Sequence, residues 1–285
     1  MARSSVHAVL PRAGLANRLL VWARAAVFAK NHQLPLYVQG WGHIHIGPLL
    51  RREKSMRFYG TFFNCPGYLK GIARLQTARW FQPDQVVAEP SFTKSPPDKT
   101  KCFVFETVPS KEDYFGSLRG HENFLSGAFK QMVRDQWHQK LLEKSSPFIA
   151  MHVRRGDFKS AGIELSSEEY FLSTLTRLRA ASGIEKAVIF SDSSPDQIPD
   201  LAGQPNVTFA DHNSEILDIL DMSRADIIVT SLRSTFGYWG GFVSNASIIL
   251  DPRHTFGAIR DQNDRWFEGI LISLKRTLPT ERDKR

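Results

Sequence analysis

The chain has 285 residues, and 42% of them are hydrophobic, so it can build one large or two small domains with an ordinary core. Its two cysteines, Cys65 and Cys102, argue against a disulfide scaffold and do not make a zinc site by themselves. The formal net charge of +8 makes nucleic acid, anionic lipid and anionic small molecules candidate partners, and no apolar run reaches the length of a membrane span. We expect a cytoplasmic protein, and leave open its association with the inner face of a membrane.

The N-terminal segment has the order strand, turn, helix and strand. We predict a strand over 5–10, a glycine turn over 11–14, a helix over 15–30 and a second strand over 36–38. A glycine turn at the start of a helix lets the backbone approach a ligand closely, although most turns of this kind carry a glycine. The segment therefore predicts a βαβ start and gives only a weak indication of a ligand.

The rest of the N-terminal half is less regular. His43 and His45 flank Ile44, and because no third ligand lies nearby in the sequence we do not predict a metal site there. Further on we predict a strand over 58–63, a helix over 66–80, a surface loop over 89–101, a strand over 102–105 and a long core-facing helix over 121–144.

From residue 147 onward, strands and helices alternate regularly. We predict strands over 148–153, 187–190, 207–209, 227–230 and 248–250, and helices over 167–181, 195–201, 214–223 and 235–243. Ser166 and Glu169 have capping-box spacing for the first of these helices. The alternation predicts an α/β fold with a doubly wound parallel sheet in the C-terminal half. We place a domain boundary near Ser145, with domains over 1–145 and 146–270 and a charged tail over 271–285.

Polar residues follow three strands of the predicted sheet, where an open α/β sheet binds ligands. The strand over 148–153 ends in Arg154, Arg155, Gly156 and Asp157, and the next strand ends in the polar segment 191–194. The planar guanidinium of arginine donates two parallel hydrogen bonds to a phosphate and stays charged. The alternative is an arginine pair at the surface that forms a salt bridge with Asp157.

The fourth strand ends in the segment 231–235, which begins with Ser231 and places Ser234 and Thr235 at the start of a predicted helix. Hydroxyls and free backbone N–H groups at this position can bind an anion, and ordinary N-capping would explain only one of the two residues. Asp218 and Asp221 lie one turn apart on the preceding helix. Such a pair is usually a solvated face, but Asp218 could accept hydrogen bonds from a nucleobase or a ribose.

Three familiar phosphate-binding patterns are missing from the sequence. It has no GxGxxG, no P-loop lysine, and no two aspartates separated by one residue. If a diphosphate binds, arginine and backbone dipoles must supply the neutralising charge. We therefore expect no metal ion and no other cofactor.

Three segments resemble signatures of the fucosyltransferases. The segment Gly14-Leu15-Ala16-Asn17-Arg18-Leu19 is similar to the Gly-Leu-Gly-Asn-Gln-Leu signature of bacterial α-1,2-fucosyltransferases, glycosyltransferase family 11. The segment His152-Val153-Arg154-Arg155-Gly156-Asp157 resembles the His-x-Arg-Arg-x-Asp motif of α-1,2-, α-1,6- and protein O-fucosyltransferases. The segment Ser234-Thr235-Phe236-Gly237-Tyr238-Trp239-Gly240 resembles Ser-Thr-Phe-Ser-Trp-Trp-Gly of the same family.

The resemblance implies a two-domain variant GT-B fold, an inverting mechanism, a GDP-sugar donor, a glycan acceptor and no metal. The domain over 1–145 would lie on the acceptor side, and the domain over 146–270 would bind GDP-fucose or a related GDP-6-deoxyhexose. The sequence departs from the family at Ala16 and Arg18, where the signature has glycine and glutamine, and at Ala161, where many members have histidine.

The resemblance also assigns roles to individual residues. Arg154 would hold the β-phosphate of the donor. For Arg155 we separately predict a structural role, paired with Asp157. The other matched positions are His152 and Asp218 on the guanosine side, Ser234, Thr235 and Phe236 on the pyrophosphate side, and Gly14 and Asn17 in an N-terminal turn facing the cleft.

The catalytic base is the position that the sequence defines least. Our candidate is Glu164, because α-1,6-fucosyltransferases have a proposed glutamate base in the corresponding loop. His43 and His45 are alternatives, since their ordinary pKa suits proton transfer near neutrality, and Asn17 could orient a substrate. A noncatalytic nucleotide-sugar binder of the same fold is the second function we consider. A nucleic-acid-binding protein is disfavoured, because the basic residues are scattered and form no aromatic-interleaved patch.

Overall fold

The computed structural model describes residues 4–43, 58–65, 67–69, 83–92, 101–110, 112–141, 146–156, 162, 164–211 and 214–260. Within these ranges the chain forms two compact units, divided between Lys140 and Leu141. The segment Phe256–Arg260 belongs to the N-terminal unit, whereas the sequence places it within the domain over 146–270. The predicted boundary residue Ser145, the charged tail and nearly all of the predicted helix over 66–80 lie outside the described residues.

The N-terminal unit is built on a four-stranded parallel sheet with the order β2-β1-β4-β3. Its strands are β1 (Ser5–Val9), β2 (Leu36–Gln39), β3 (Val86–Ala88) and β4 (Cys102–Phe105), and helix α1 (Leu15–Asn31) connects β1 to β2. The ring of Phe28 on α1 lies 5.0 Å from that of Phe103 and 5.5 Å from that of Phe105, so α1 closes the core over β4. The predicted β1, α1, β2 and β4 are confirmed, and the sequence analysis missed the short edge strand β3.

Two predictions in this unit are wrong for one shared reason. Residues 58–63 form turns rather than a strand, and the predicted helix over 121–144 ends early. Phe63 and Val133 form an antiparallel bridge, and the backbone N–H of Arg134 donates to the carbonyl of Phe62 at 3.0 Å. This pairing pulls Val133 into an extended conformation and breaks the helix into α2 (Glu122–Met132) and α3 (Asp135–His138).

The C-terminal unit is built on a five-stranded parallel sheet with the order β7-β6-β5-β8-β9. Its strands are β5 (Ile149–Val153), β6 (Ala187–Ser191), β7 (Val207–Phe209), β8 (Ile227–Val229) and β9 (Ser247–Ile249). Its helices are α4 (Glu168–Ser182), α5 (Pro199–Ala202), α6 (Glu215–Met222) and α7 (Thr235–Phe242). Every residue of the central strand β5 is buried, as expected for a strand covered on both faces. The predicted doubly wound parallel sheet is confirmed.

Two local predictions in this unit need correction. The predicted helix over 195–201 is a 3-10 turn (Pro195–Gln197) followed by α5, because Pro199 has no N–H to continue a helix and instead starts a new one. The capping box of Ser166 and Glu169 is also wrong. Ser167 is the N-cap of α4, and its hydroxyl accepts a hydrogen bond from the backbone N–H of Tyr170 at 3.1 Å.

The strand order places a topological switch point between β5 and β8. From β5 the chain builds β6 and β7 on one side, then crosses to build β8 and β9 on the other. In open α/β sheets a crevice forms outside the carboxyl ends of the strands at such a point, and ligands bind there. The residues that follow β5 and β8 are therefore the first to consider as a site. Among the described residues, no helix is long and apolar enough to cross a membrane.

Candidate active site

Ser231 joins the two strand ends at the switch point. Its hydroxyl donates a hydrogen bond to the carbonyl of His152 at 2.9 Å and accepts one from the backbone N–H of Arg154 at 2.8 Å. The residue is 2% exposed, so both bonds are shielded from water. This linkage fixes the loop after β8 against the loop after β5. The sequence analysis noted Ser231 only as part of a polar strand end.

Arg154 lies at the carboxyl end of β5 and pairs with Asp192, which follows β6. One guanidinium nitrogen of Arg154 lies 3.1 Å from a carboxylate oxygen of Asp192, and the other carboxylate oxygen accepts the backbone N–H of Arg155 at 2.9 Å. A Cβ on Gly156 would overlap the Asp192 carboxylate, so glycine at this position leaves room for it. Both partners remain about one quarter exposed, which leaves the guanidinium accessible to an anion.

Arg155 turns inward from the site. Its guanidinium donates to the carbonyl of Ser166 at 2.5 Å. Burial lowers the pKa of Arg155 from its ordinary value, against the opposing effect of the Glu168 and Asp192 carboxylates. These contacts agree with a structural role. The predicted pairing with Asp157 concerns a residue outside the described part of the chain.

His152 lies beneath the switch point, with only 3% of its surface exposed. Its Nδ1 is buried and has no hydrogen-bond partner among the described residues. Burial, reinforced by the charge of Arg154, lowers the pKa of His152 to about 3, so the ring is neutral near pH 7. The ring lies 5.3 Å from that of Phe236, and a Cβ on Gly237 would lie only 2.7 Å from Nδ1. Glycine at 237 therefore lets the start of α7 approach the imidazole.

Helix α7 begins at the same edge of the sheet. Ser234 is its N-cap residue and is 3% exposed, yet within the described ranges its hydroxyl forms no capping hydrogen bond. No acidic residue lies in the first turn of α7. The N–H groups at the start of the helix therefore lack a capping side chain and carry the positive end of the helix dipole. A capping hydrogen bond therefore does not account for the presence of a buried serine at position 234.

Arg233 precedes this helix in a left-handed backbone conformation, with φ at +57°. A non-glycine residue in this region carries backbone strain, and strained residues cluster at functional sites. The side chain of Arg233 is exposed. The sequence analysis did not single out this residue, because no local pattern marks an arginine that adopts a positive φ.

The two aspartates of α6 differ in their surroundings. Asp221 is 1% exposed and forms an ion pair with Arg224 at 2.6 Å, which makes it structural. Asp218 is half-buried on the same helix, which packs against α7. Its predicted contact with a nucleoside stays a prediction.

Glu164, the predicted base, lies in the segment before α4 and pairs with Arg253. The same guanidinium donates two hydrogen bonds to Asp251, at 2.9 and 2.8 Å. Together these carboxylates raise the pKa of Arg253 above its ordinary value, mainly through the hydrogen bonds to Asp251. The Glu164 side chain is 54% exposed. Its role as a base stays a prediction.

Gly14 and Asn17 lie in the N-terminal unit, at the start of α1. Gly14 is the N-cap residue, with φ at −62°, and a Cβ there would meet no atom within 4 Å, so its backbone is open to approach. Asn17 is half-buried in the first turn. Arg18 is fully buried and donates hydrogen bonds to the carbonyls of Ala13 at 3.0 Å and Gly40 at 3.2 Å. This departure from the family signature therefore has a structural role.

Three residues considered in the sequence analysis, His45, Asp157 and Ala161, lie outside the described residues, and His43 is half-buried in the N-terminal unit. Within the described ranges, no group of three or more histidine, cysteine, aspartate or glutamate side chains is placed to hold a metal ion. Metal independence stays a prediction.

The fold and the site define an α/β protein with a partly exposed guanidinium and an uncapped helix start at the switch point of its C-terminal sheet. The family model described as glycosyl transferase family 11 matches residues 108–257, which is more than half of the chain. The chain belongs to glycosyl transferase family 11, and it is a glycosyltransferase of two-domain variant GT-B fold, as predicted. A comparison with curated proteins gave no significant match.

Solved structures of two fucosyltransferases are similar to the chain in fold. NodZ from Bradyrhizobium matches with 13% sequence identity and a TM-score of 0.58, covering 89% of this chain and 97% of that one. An α-1,6-fucosyltransferase NodZ crystal soaked with GDP-fucose gives 15% identity and a TM-score of 0.59, covering 90% and 97%. The apo form of POFUT1 gives 11% identity and a TM-score of 0.52, covering 88% and 99%.

Proposed function

We propose that the protein transfers fucose from GDP-fucose to a hydroxyl group of a glycan, with inversion at the anomeric carbon and without a metal ion. Membership of family 11 supports glycosyl transfer, and the NodZ structure soaked with GDP-fucose supports this donor. A related GDP-6-deoxyhexose is the alternative donor. The observation that carries the proposal is the partly exposed guanidinium of Arg154 at the same sheet edge as the uncapped start of α7.

The chemistry explains why a cation and a helix start belong at this edge. An acceptor oxygen attacks the anomeric carbon, the bond from this carbon to the β-phosphate oxygen breaks, and GDP leaves with the electron pair. Negative charge builds on the β-phosphate oxygens, so groups that are already oriented toward them lower the barrier. Arg154 and the N–H groups of α7 would supply this charge stabilisation. Asp192 would hold the guanidinium in position before the donor binds.

The proton of the acceptor hydroxyl must pass to a base as the new bond forms. Glu164 remains our candidate, and its ion pair with Arg253 would have to loosen for it to accept the proton. His43 and His45 are the alternatives. Asn17 would orient a substrate, and Asp218 would accept hydrogen bonds from the guanosine.

Turnover of GDP-fucose with a panel of glycan acceptors, with and without excess chelator, tests the proposal. We expect GDP release that depends on an acceptor and survives chelation. Loss of turnover on chelation, restored by magnesium or manganese, would disprove metal independence. Binding of GDP without turnover on any acceptor would instead favour the noncatalytic nucleotide-sugar binder.

A further inference from the structure

We infer that Ser166 is a positioning residue for the donor site, a role that rests on the proposed function. Ser166 lies in the segment before α4 and is 1% exposed. It is adjacent to Ser167, the N-cap of α4, but the side chain of Ser166 does not cap the helix. Its hydroxyl and its carbonyl instead form hydrogen bonds with the two loops that follow β5 and β8.

Ser166 contacts both of these loops at once. Its hydroxyl accepts a hydrogen bond from the backbone N–H of Leu232 at 2.8 Å, in the loop after β8. Its carbonyl accepts the guanidinium of Arg155 at 2.5 Å, in the loop after β5. One residue outside the site therefore connects the arginine-bearing strand end to the loop that leads into α7.

The third contact of Ser166 explains why a hydroxyl is required. The hydroxyl donates to a carboxylate oxygen of Asp251 at 2.6 Å, and Asp251 is itself 2% exposed. A carboxylate only accepts hydrogen bonds and a backbone N–H only donates, so the group between them must do both. Arg253 donates hydrogen bonds to both oxygens of this carboxylate. Burial raises the pKa of Asp251, but the hydrogen bonds from Arg253 and Ser166 outweigh it and hold the pKa below its ordinary value.

The hydrogen bonds of Ser166 affect the donor site through the position of Leu232. Leu232 immediately precedes Arg233, the residue with a φ of +57°, and Ser234, the N-cap of α7, follows. The hydrogen bond from Leu232 to Ser166 anchors the backbone just before the strained turn. Without it, Ser231 would still tie this loop to the loop after β5. We expect the start of α7 to be held less firmly in the position that the donor phosphates require.

Ser166→Ala tests the inference against Ser167→Ala as a matched control. Each variant removes one serine hydroxyl next to the start of α4. Ser166→Ala should lower the melting temperature more than Ser167→Ala, because it leaves a buried carboxylate and a backbone N–H without this partner. Only Ser166→Ala should weaken GDP binding in calorimetry, by about tenfold, as expected for one hydrogen bond in a buried network. It should also speed amide hydrogen exchange in the segment that contains Leu232. GDP affinity and exchange at wild-type levels in Ser166→Ala would overturn the inference.

A second variant covers the case in which Ser166→Ala does not fold. Ser166→Cys keeps a similar shape but is a weaker donor and acceptor, and it should change GDP affinity and exchange in the same direction to a smaller extent. Absence of GDP binding by the wild-type protein would overturn the proposed function. The exchange measurement needs no ligand, and it would still decide whether Ser166 anchors Leu232.

Discussion

At the scale of single residues, Arg154 carries the largest expected effect. Its guanidinium lies at the carboxyl end of β5, about one quarter exposed and paired with Asp192. Loss of one donor to a developing anion costs roughly a hundredfold to a thousandfold in turnover. We expect this loss for Arg154→Ala. Arg154→Lys should recover little, because an ammonium cannot reproduce two parallel hydrogen bonds. Steady-state kinetics measures both, and near-wild-type turnover of Arg154→Ala would make the arginine a structural residue only.

Asp192 should act through Arg154 rather than on the donor. Asp192→Asn keeps the shape of the side chain and an oxygen for the N–H of Arg155, but it removes the negative charge that holds the guanidinium. We expect kcat to fall about tenfold, because an oriented cation is worth more in the transition state than a mobile one. GDP affinity should not decrease, because a competing carboxylate has been removed. An unchanged kcat with weaker GDP binding would reverse this assignment.

At the scale of structural elements, the turn before α7 depends on a strained residue. Arg233 has a φ of +57°, which costs a residue with a side chain roughly 1–2 kcal/mol and a β-branched residue more. Arg233→Gly should therefore keep the melting temperature close to that of the wild type, since relief of strain offsets the greater freedom of the unfolded chain. Arg233→Val should lower it clearly. Melting temperatures are measured by calorimetry. Equal values for the two variants would show that the folded protein does not need a positive φ at residue 233.

The elements differ in how far the sequence could predict them. Helix α1 and strand β5 follow from local patterns of apolar residues, and their bounds were predicted to within one residue. The break at Val133 was missed, because it depends on pairing with Phe63, which is distant in the sequence. The capping box failed for a similar reason, since Ser166 is used by Leu232 and Asp251 instead of by the helix beside it.

The site shows the same limit. Arg154 and the segment 234–236 could be proposed from the sequence, because strand ends in an open sheet collect ligands. Asp192 and Ser231 could be seen only as polar residues at strand ends, since their partners are set by which strands are neighbours. The pairing of Glu164 with Arg253 joins residues 89 positions apart, and no local pattern indicates it.

At the scale of the whole molecule, buried histidines make stability depend on pH. Burial lowers the pKa of His7 to about 4, and burial together with Arg154 lowers that of His152 to about 3, from an ordinary value of 6.5. Below about pH 6.5 the unfolded chain takes up protons that the folded chain does not, so stability falls as the pH decreases toward 4. Each histidine thus contributes stability that is present above pH 6.5 and lost below it.

His152→Gln removes one of these titrating groups. We expect the melting temperature of this variant to fall less than that of the wild type between pH 7 and pH 5. Parallel plots of melting temperature against pH for the two proteins would show that His152 is not buried in its neutral form. Thermal unfolding in a series of buffers at constant ionic strength gives the comparison.

The most direct test of the account is calorimetric binding of GDP and UDP, in excess chelator, to the wild type, Arg154→Ala and Asp218→Ala. We expect GDP to bind the wild type without metal and much more tightly than UDP. Arg154→Ala should weaken both nucleotides, because both carry the diphosphate, while Asp218→Ala should narrow the gap between them. Equal affinities of the wild type for GDP and UDP, or GDP binding that requires a metal ion, would contradict it.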